Sequence, residues 1–296
     1  NVKHVPFGDI KSAKRAINSR TAMVIVEPIM GEAGVIVPPL NYLKELREAC
    51  TKNGALLVVY QNRRYDADYL TIKHLIETDQ IGDLFHYESF VGGYSKPCSY
   101  WHSDAEVSGG AIFDWGSHFL DQILNIIPDD VDHVSGQNHK RVWTHATNAD
   151  HAHVTVTFKS GKQATFVHSD LAAARKPKFY VLGTKGSLVG NWNPAGEPAV
   201  ADLPALLTVH HEDGTVREVA VNAPDTLAFH RSIVEYLNNG TPMEVNAVQS
   251  RNVVAIMQAA EDLSRDWLVQ ERFEYRVGFA SPVKKPAWKE YYDTTD

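Results

Sequence analysis

The sequence predicts an α+β protein: a partial α/β unit of βαβ type first, then a large, mainly antiparallel, open-faced β-sheet domain with helices on one side. Three observations carry this expectation. Two apolar runs, 22–26 and 55–60, flank a helical pattern over 42–52. Beyond residue 150, period-2 alternation recurs in several runs, with Ser160-Gly161 and Asp213-Gly214 as hairpin turns. Helical spacing returns over 226–239 and 247–268, so these helices follow the strands instead of alternating with them.

Composition bounds the rest. A chain of 296 residues forms one large domain or two ordinary ones. With 44% hydrophobic and 22% charged residues it is neither wholly disordered, collagen-like nor a coiled coil. Lys and Arg total 29 against 36 Asp and Glu, for a net charge of −7 without basic clusters. That argues against nucleic acid and anionic membrane as partners. The longest apolar runs, such as Ala55-Leu56-Leu57-Val58-Val59, are too short to span a bilayer. The opening Asn1-Val2-Lys3-His4-Val5-Pro6 has no apolar leader core and no initiator Met, so no signal peptide and a processed or truncated start are expected. Cys50 and Cys98 form no disulfide framework, which points to a reducing, cytoplasmic setting.

The elements follow in order. Asp9 is a good N-cap for a short helix ending at Ile17. The continuous run 22–26 suits a strand buried on both faces, and Glu27-Pro28 ends it. A loop over 31–39 leads to the helix at 42–52, which Asn53-Gly54 closes before the second buried strand at 55–60. A helix over 67–77 and a strand over 84–91 come next. The long loop 92–110, with Pro97, Tyr100, Trp101 and His102, has the length of a functional loop. A helix spans 114–127. Strands are expected at 152–158, 163–171, 178–183, 206–211 and 215–221, and a polar tail at 283–296.

Two resemblances meet in this chain. Residues 1–59 resemble the class III PLP-dependent aminotransferases through Val26-Glu27-Pro28-Ile29-Met30-Gly31-Glu32-Ala33-Gly34-Val35, followed by Gly54-Ala55-Leu56-Leu57. That family implies an aspartate facing the PLP pyridinium nitrogen at the end of the next strand, where this chain has Tyr60-Gln61-Asn62, and a Schiff-base lysine further on. Neither is recognisable, so PLP is not expected as a cofactor, and Glu27 and Glu32 are left with structural or loop-solvating roles. Residues from about 58 to 277 resemble the C-terminal part of the Gfo/Idh/MocA oxidoreductases. The motifs are Gln61-Asn62-Arg63-Arg64-Tyr65-Asp66, Gly109-Gly110-Ala111-Ile112-Phe113-Asp114-Trp115-Gly116-Ser117-His118 and Leu182-Gly183-Thr184-Lys185-Gly186-Ser187. The domains implied are 1–59, an aminotransferase-like segment in place of most of a Rossmann domain, and 60–282, the Gfo/Idh/MocA-like domain. The chain reads as a chimera.

The second resemblance implies an NAD(P)-dependent oxidoreductase acting on a sugar or polyol hydroxyl, assembled as a homo-oligomer through the sheet face. The G-x-G-x-x-G fingerprint is absent, because Gly183, Gly186 and Gly190 have the wrong spacing. The strand that should end in a lysine-bearing Glu-Lys-Pro ends instead in Val26-Glu27-Pro28. The enzyme is therefore expected to be weak or inactive as this chain. The alternatives are a non-catalytic ligand-binding or oligomerisation protein and an aminotransferase remnant.

The candidate catalytic pair is His118 with Asp114. Spaced by four, they share a helix face, with Asp121, Gln122 and Asn125 extending it and Trp115, Phe119, Ile123 and Ile126 on the other sides. Oxidising a hydroxyl requires removal of its proton, and an imidazole titrates in the right range. Asp114 either orients that imidazole or caps the helix. Candidate substrate contacts are Arg63, Arg64, Lys96, Tyr100, Trp101 and Asp121; candidate cofactor contacts are Asn62 and Trp115. Arg63 and Arg64 follow a strand end, where α/β sheets open a crevice, or else pair with Asp66 and Asp68. The loop aromatics, Tyr94 included, stack on a sugar or pack on the core. His168 is expected to be a satisfied sheet histidine. No metal is expected, because nothing enforces ligand spacing on Asp114, His118 and His102.

Overall fold

The computed structural model describes residues 2–27, 30, 36–196, 203–221, 225 and 227–269. The expectations for Glu32 and for the 283–296 tail lie outside the described residues. The described residues fall into two compact units, one up to residue 57 and one over residues 58–268.

The first unit opens with α1 (Ile10–Ala16), whose first turn is capped by the Asp9 carboxylate accepting from the Ser12 N–H at 3.0 Å. Strand β1 (Met23–Val24) runs parallel to β2 (Leu56–Leu57), with α2 (Tyr42–Asn53) between them in sequence. Gly54 ends α2 at φ +67°, the left-handed conformation that glycine takes without cost. Ala13, Tyr42, Leu46, Cys50 and Ala55 form the core, with Val24 and Val26 packed against it. The expected doubly buried strand is corrected here. Ile25 is 84% exposed, because this two-stranded ladder has its core on one face.

The second unit is built on an eight-stranded sheet. Its strands are β3 (Leu84–Gly92), β4 (Val131–His139), β5 (His151–Phe158), β6 (Gln163–Ser169), β7 (Phe179–Gly183), β8 (Gly186–Asn191), β9 (Leu206–His211) and β10 (Val216–Val219). They lie in the order β10-β9-β8-β7-β3-β6-β5-β4. Only β3 and β6 pair in parallel; every other neighbour is antiparallel. The fold class is thus α+β, mainly antiparallel. Strand β5 shows the two faces: Ala152, Val154, Val156 and Phe158 are buried, while His151, His153, Thr155 and Thr157 turn the other way. The buried face packs on α3 (Ala67–Glu77), α5 (Gly116–Ile126) and α7 (Ala247–Val269) through Ile72, Phe119, Leu120, Ile123, Val253 and Met257. Each such side chain stabilises the fold by about 1.5–3 kcal/mol. Helix α6 (Ala228–Asn239) buries only Phe229 and Ile233, with Phe229 against the rings of Tyr60 and Tyr65.

Two strands, β4 and β8, are absent from the sequence expectations. Strand β4 is polar (Val131 to His139 reads VDHVSGQNH), and its Gly136 is required because an added Cβ would sit 2.2 Å from the Ala260 carbonyl oxygen. The long loop is also more ordered than expected. It holds a bridge from Tyr94 to Leu171, a 3-10 turn (Trp101–Ser103) and α4 (Ala105–Ser108). A buried ion pair, Lys178 Nζ to Asp68 Oδ2 at 2.6 Å, ties α3 to the start of β7, and the same oxygen accepts the Ala205 N–H at 2.8 Å.

Candidate active site

The site is set by how α5 meets the sheet. Gly116 lets the helix approach, since a Cβ there would lie 3.1 Å from Ile112 and 3.2 Å from the Phe166 ring. Phe119 stacks on Phe166 at 5.7 Å between centroids. Two residues on from Gly116, and so turned to the side away from that close contact, sits His118.

The 3-10 turn Asn62–Tyr65 is fastened to α5 from the other side. Gln122 Nε2 donates to the Arg63 carbonyl at 2.7 Å, and Arg64 grips Asp121. This places the Arg63 guanidinium 4.9 Å from the Trp115 ring centroid, a cation–π contact, and Trp115 meets the His118 ring edge-on at 6.1 Å. Arg63, Trp115 and His118 therefore form one group.

His118 is partly buried, and its Nδ1 is enclosed with no hydrogen-bond partner among the described residues. Burial pushes its pKa down to about 4; the Arg63 charge adds to this, and Asp114 opposes it. The ring is therefore neutral at pH 7. Asp114 is not on the helix with His118, because α5 starts at Gly116 and the N-cap is Trp115. Its carbonyl accepts the Ser117 hydroxyl at 2.7 Å, and its carboxylate, 53% exposed, lies 3.9 Å from His102 Nδ1. The Asp114 carboxylate caps nothing; it sets a charge beside both imidazoles. Trp101 stacks on His102 at 3.7 Å and Tyr100 meets it edge-on at 5.5 Å, so the loop aromatics gather around the second imidazole.

The other candidates fall elsewhere. Arg64 and Asp121 were expected at the substrate. Instead both Asp121 oxygens accept from Arg64 Nε and Nη2, and Nη1 donates to the Glu244 carbonyl and Gln249 Oε1. Their polar atoms hold the turn on α5. With Gln122 they bury the polar stripe that the helical spacing left open. The expected pairing of Arg64 with Asp68 is replaced as well: Asp68 pairs with Lys178, while Arg63 meets Asp66 at 3.3 Å. Lys96 is exposed, in a stretch whose Pro97 carbonyl contacts His145 Nε2 at 3.0 Å. Asn62 is exposed on the turn beside Arg63. His168 is not a satisfied histidine, since its Nδ1 is enclosed without a partner among the described residues. His102 and Gln122 are the two residues of this group that the sequence does not single out as catalytic, substrate or cofactor contacts. Spacing signalled Gln122, four residues after His118; for His102 only its aromatic neighbours did. Among the described residues no group of three or more His, Cys, Asp or Glu is arranged to hold a metal ion. No helix there is long and apolar enough to cross a membrane.

Comparison with known proteins separates the two parts of the chain. The GFO/IDH/MocA C-terminal domain profile matches residues 69–189, and the aminotransferase class-III profile matches residues 4–60. The scyllo-inositol 2-dehydrogenase (NADP(+)) IolW of Bacillus subtilis is 28% identical over 242 residues, covering 75% of this chain and 66% of that protein. The acetylornithine aminotransferase of Methanopyrus kandleri is 54% identical over 57 residues, 19% of this chain and 15% of that one. The chain thus spans just under two thirds of the first relative and a small part of the second. Among solved structures, yvaA from Bacillus subtilis superposes with a TM-score of 0.68 at 23% identity, over 89% of this chain and 78% of that one. An NAD-binding protein from Listeria innocua gives 0.63 at 24%, over 89% and 75%. These likenesses show the fold. Residues 69–189 are thus similar to the GFO/IDH/MocA C-terminal domain and residues 4–60 to the class III aminotransferases, two likenesses within one chain.

Proposed function

We propose that the 58–268 unit is the substrate half of a sugar or polyol oxidoreductase, with His118 receiving the proton of a ring hydroxyl, and that this chain by itself is impaired in redox turnover. The carrying observation is the enclosed, unpartnered Nδ1 of a neutral imidazole beside Arg63 and Trp115. With Nδ1 enclosed, the partly buried ring is left to meet a ligand hydroxyl through its other nitrogen, Nε2. The Trp115 ring offers a flat face for sugar C–H groups. The Arg63 guanidinium stabilises the negative charge that grows on the oxygen as its proton leaves. The inositol dehydrogenase among the relatives makes a cyclic polyol the first substrate to try.

The family implies a nicotinamide dinucleotide as hydride acceptor, and the described residues do not fit one. A dinucleotide cradle needs a glycine turn opening onto a free helix N-terminus. The N-terminus of α1 is filled by the Asp9 carboxylate, and α2 is entered through Pro38-Pro39-Leu40-Asn41. The Gly109-Gly110 pair before α5 is closed off, because a Cβ on Gly110 would lie 2.9 Å from the Glu261 carboxylate. PLP finds no acidic partner in Val58-Val59-Tyr60-Gln61-Asn62. The lack of a cradle among the described residues favours a second reading, a chain that binds a sugar-like ligand without turnover. The two free cysteines, Cys50 and Cys98, suit a cytoplasmic setting in either case.

The test is a calorimetric titration of the full chain with scyllo-inositol, beside an NADPH fluorescence titration. Saturable inositol binding that weakens about tenfold in His118→Phe, the effect of one lost hydrogen bond, supports the site. Unchanged affinity in that variant removes it, and saturable micromolar NADPH binding removes the impairment.

A further inference from the structure

Two enclosed polar atoms on one face of α5 complement each other. Gln122 follows His118 by four residues, so their side chains are neighbours along the helix. Gln122 is buried and its amide is oriented: Nε2 donates to the Arg63 carbonyl at 2.7 Å, which commits the nitrogen and leaves Oε1 to find its own donor. Oε1 has no partner among the described residues, and neither has His118 Nδ1. Each atom left so is costly in the folded protein. An amide oxygen can only accept, whereas a neutral imidazole donates from whichever nitrogen carries its proton. The two needs cancel when that proton sits on Nδ1.

The other groups around the ring do not meet this need. Trp115 and Arg63, which lie against it, have only N–H groups to offer and accept nothing. The Asp114 carboxylate is half exposed and lies 3.9 Å from His102 Nδ1, while His118 Nδ1 is enclosed. Gln122 also suits the protonation state of the ring. An uncharged acceptor orients an imidazole without holding it as the imidazolium, in keeping with a pKa that burial pushes down to about 4.

We propose that Gln122 is a positioning residue: its Oε1 accepts the Nδ1–H of His118, after a small turn of the ring or across one water, and so keeps the Nε2 lone pair for a substrate hydroxyl proton. The role of Nε2 rests on the reading of His118 as proton acceptor; the tautomer does not. The step assigned to Nε2 is a proton transfer alone. The hydroxyl O–H bond breaks, its electron pair stays on the oxygen, and an Nε2–H bond forms. The ring becomes an imidazolium whose Nδ1–H stays on the Gln122 oxygen.

The test is nitrogen NMR of the full chain labelled at histidine, at pH 7, where this ring is neutral. The His118 signals are those that vanish in His118→Phe. Wild type is expected to show a protonated Nδ1 and an unprotonated Nε2, a measurement that needs no folded variant at Gln122. Gln122→Met keeps the side-chain length and removes the acceptor, so it shifts the tautomer ratio toward Nε2–H by about tenfold, the scale of one hydrogen bond. Gln122→Glu restores an acceptor, keeps Nδ1–H and raises the His118 titration midpoint through its negative charge. Adding scyllo-inositol to wild type moves the Nε2 signal. The proposal is overturned if wild-type His118 carries its proton on Nε2, or if folded Gln122→Met keeps Nδ1–H, as a merely structural glutamine would allow. If Nδ1–H is found and inositol moves neither signal, the tautomer assignment is upheld and the reading of His118 as a polyol site is overturned.

Discussion

Arg64 holds Asp121 through two parallel contacts, Nε to Oδ2 and Nη2 to Oδ1, each 2.7 Å, with the side chains 4% and 2% exposed. This pair fixes the turn that carries Arg63 onto the helix that carries His118. Removing one member strands a buried charge, which costs about 3–5 kcal/mol. Asp121→Ala is therefore expected to lower unfolding free energy by that amount in a urea titration. Arg64→Met combined with Asp121→Leu, which removes both charges, is expected to recover most of the loss. A loss under about 1 kcal/mol in the single variant contradicts a structural role for the pair.

Gly92 ends β3 at φ +135°, and a Cβ there would lie 1.9 Å from the Ser169 carbonyl oxygen on the parallel neighbour β6. Nothing flexible can yield, because the clash is with backbone. Gly92→Ala is expected to cost about 3 kcal/mol or more. Gly161, at φ +85° with open space around it, is the control, and its Ala variant should cost about 1 kcal/mol. Thermal melts of the two variants separate a clash from a conformational preference.

Alternation made most of the sheet legible, because β5 puts an apolar residue at every second position on the buried face, and β6 and β9 do so at Ala164 and Phe166 and at Leu207 and Val209. Strand β4 was not, since its outward residues are polar and its inward ones include Gly136 and Asn138, chosen by the approach of α7. Strand β8 hides behind glycines at both Gly186 and Gly190, where the neighbouring strand and Phe179 leave no room for a side chain. The same limit governs the site. The spacing of His118 and Asp114 was readable, yet whether Asp114 faces His118 or His102 depends on where the helix begins. Arg64 and Asp121 were readable as charged residues near a strand end and a helix face. Their burial against each other is a contact across 57 residues, which no local pattern encodes.

Asp114 is half exposed, so Asp114→Asn is expected to leave stability within about 0.5 kcal/mol of wild type. Its charge nevertheless raises the His118 pKa against burial and Arg63. Removing it should move the His118 midpoint to lower pH, followed by the ring C–H resonance in an NMR titration. A midpoint that stays put means that Asp114 serves His102 alone.

His118 also makes the fold pH-sensitive, in a direction opposite to that of a histidine whose pKa is raised by an acidic partner. Its pKa falls from 6.5 to about 4 on folding, so the unfolded chain binds the proton more readily. Stability is then fully present above pH 6.5 and is lost as pH falls, by about 2 kcal/mol at pH 5 and about 3 kcal/mol by pH 4. The window between pH 7 and 5 isolates the histidine from most carboxylates, which titrate lower. His118→Phe keeps an aromatic ring in the same space and removes the proton site. Urea titrations of wild type and variant at pH 7 and pH 5 should show wild type losing about 2 kcal/mol more than the variant over that interval. Equal losses would mean that the imbalance arises from other groups, such as His151 and His153, and that His118 is hydrated in the folded protein.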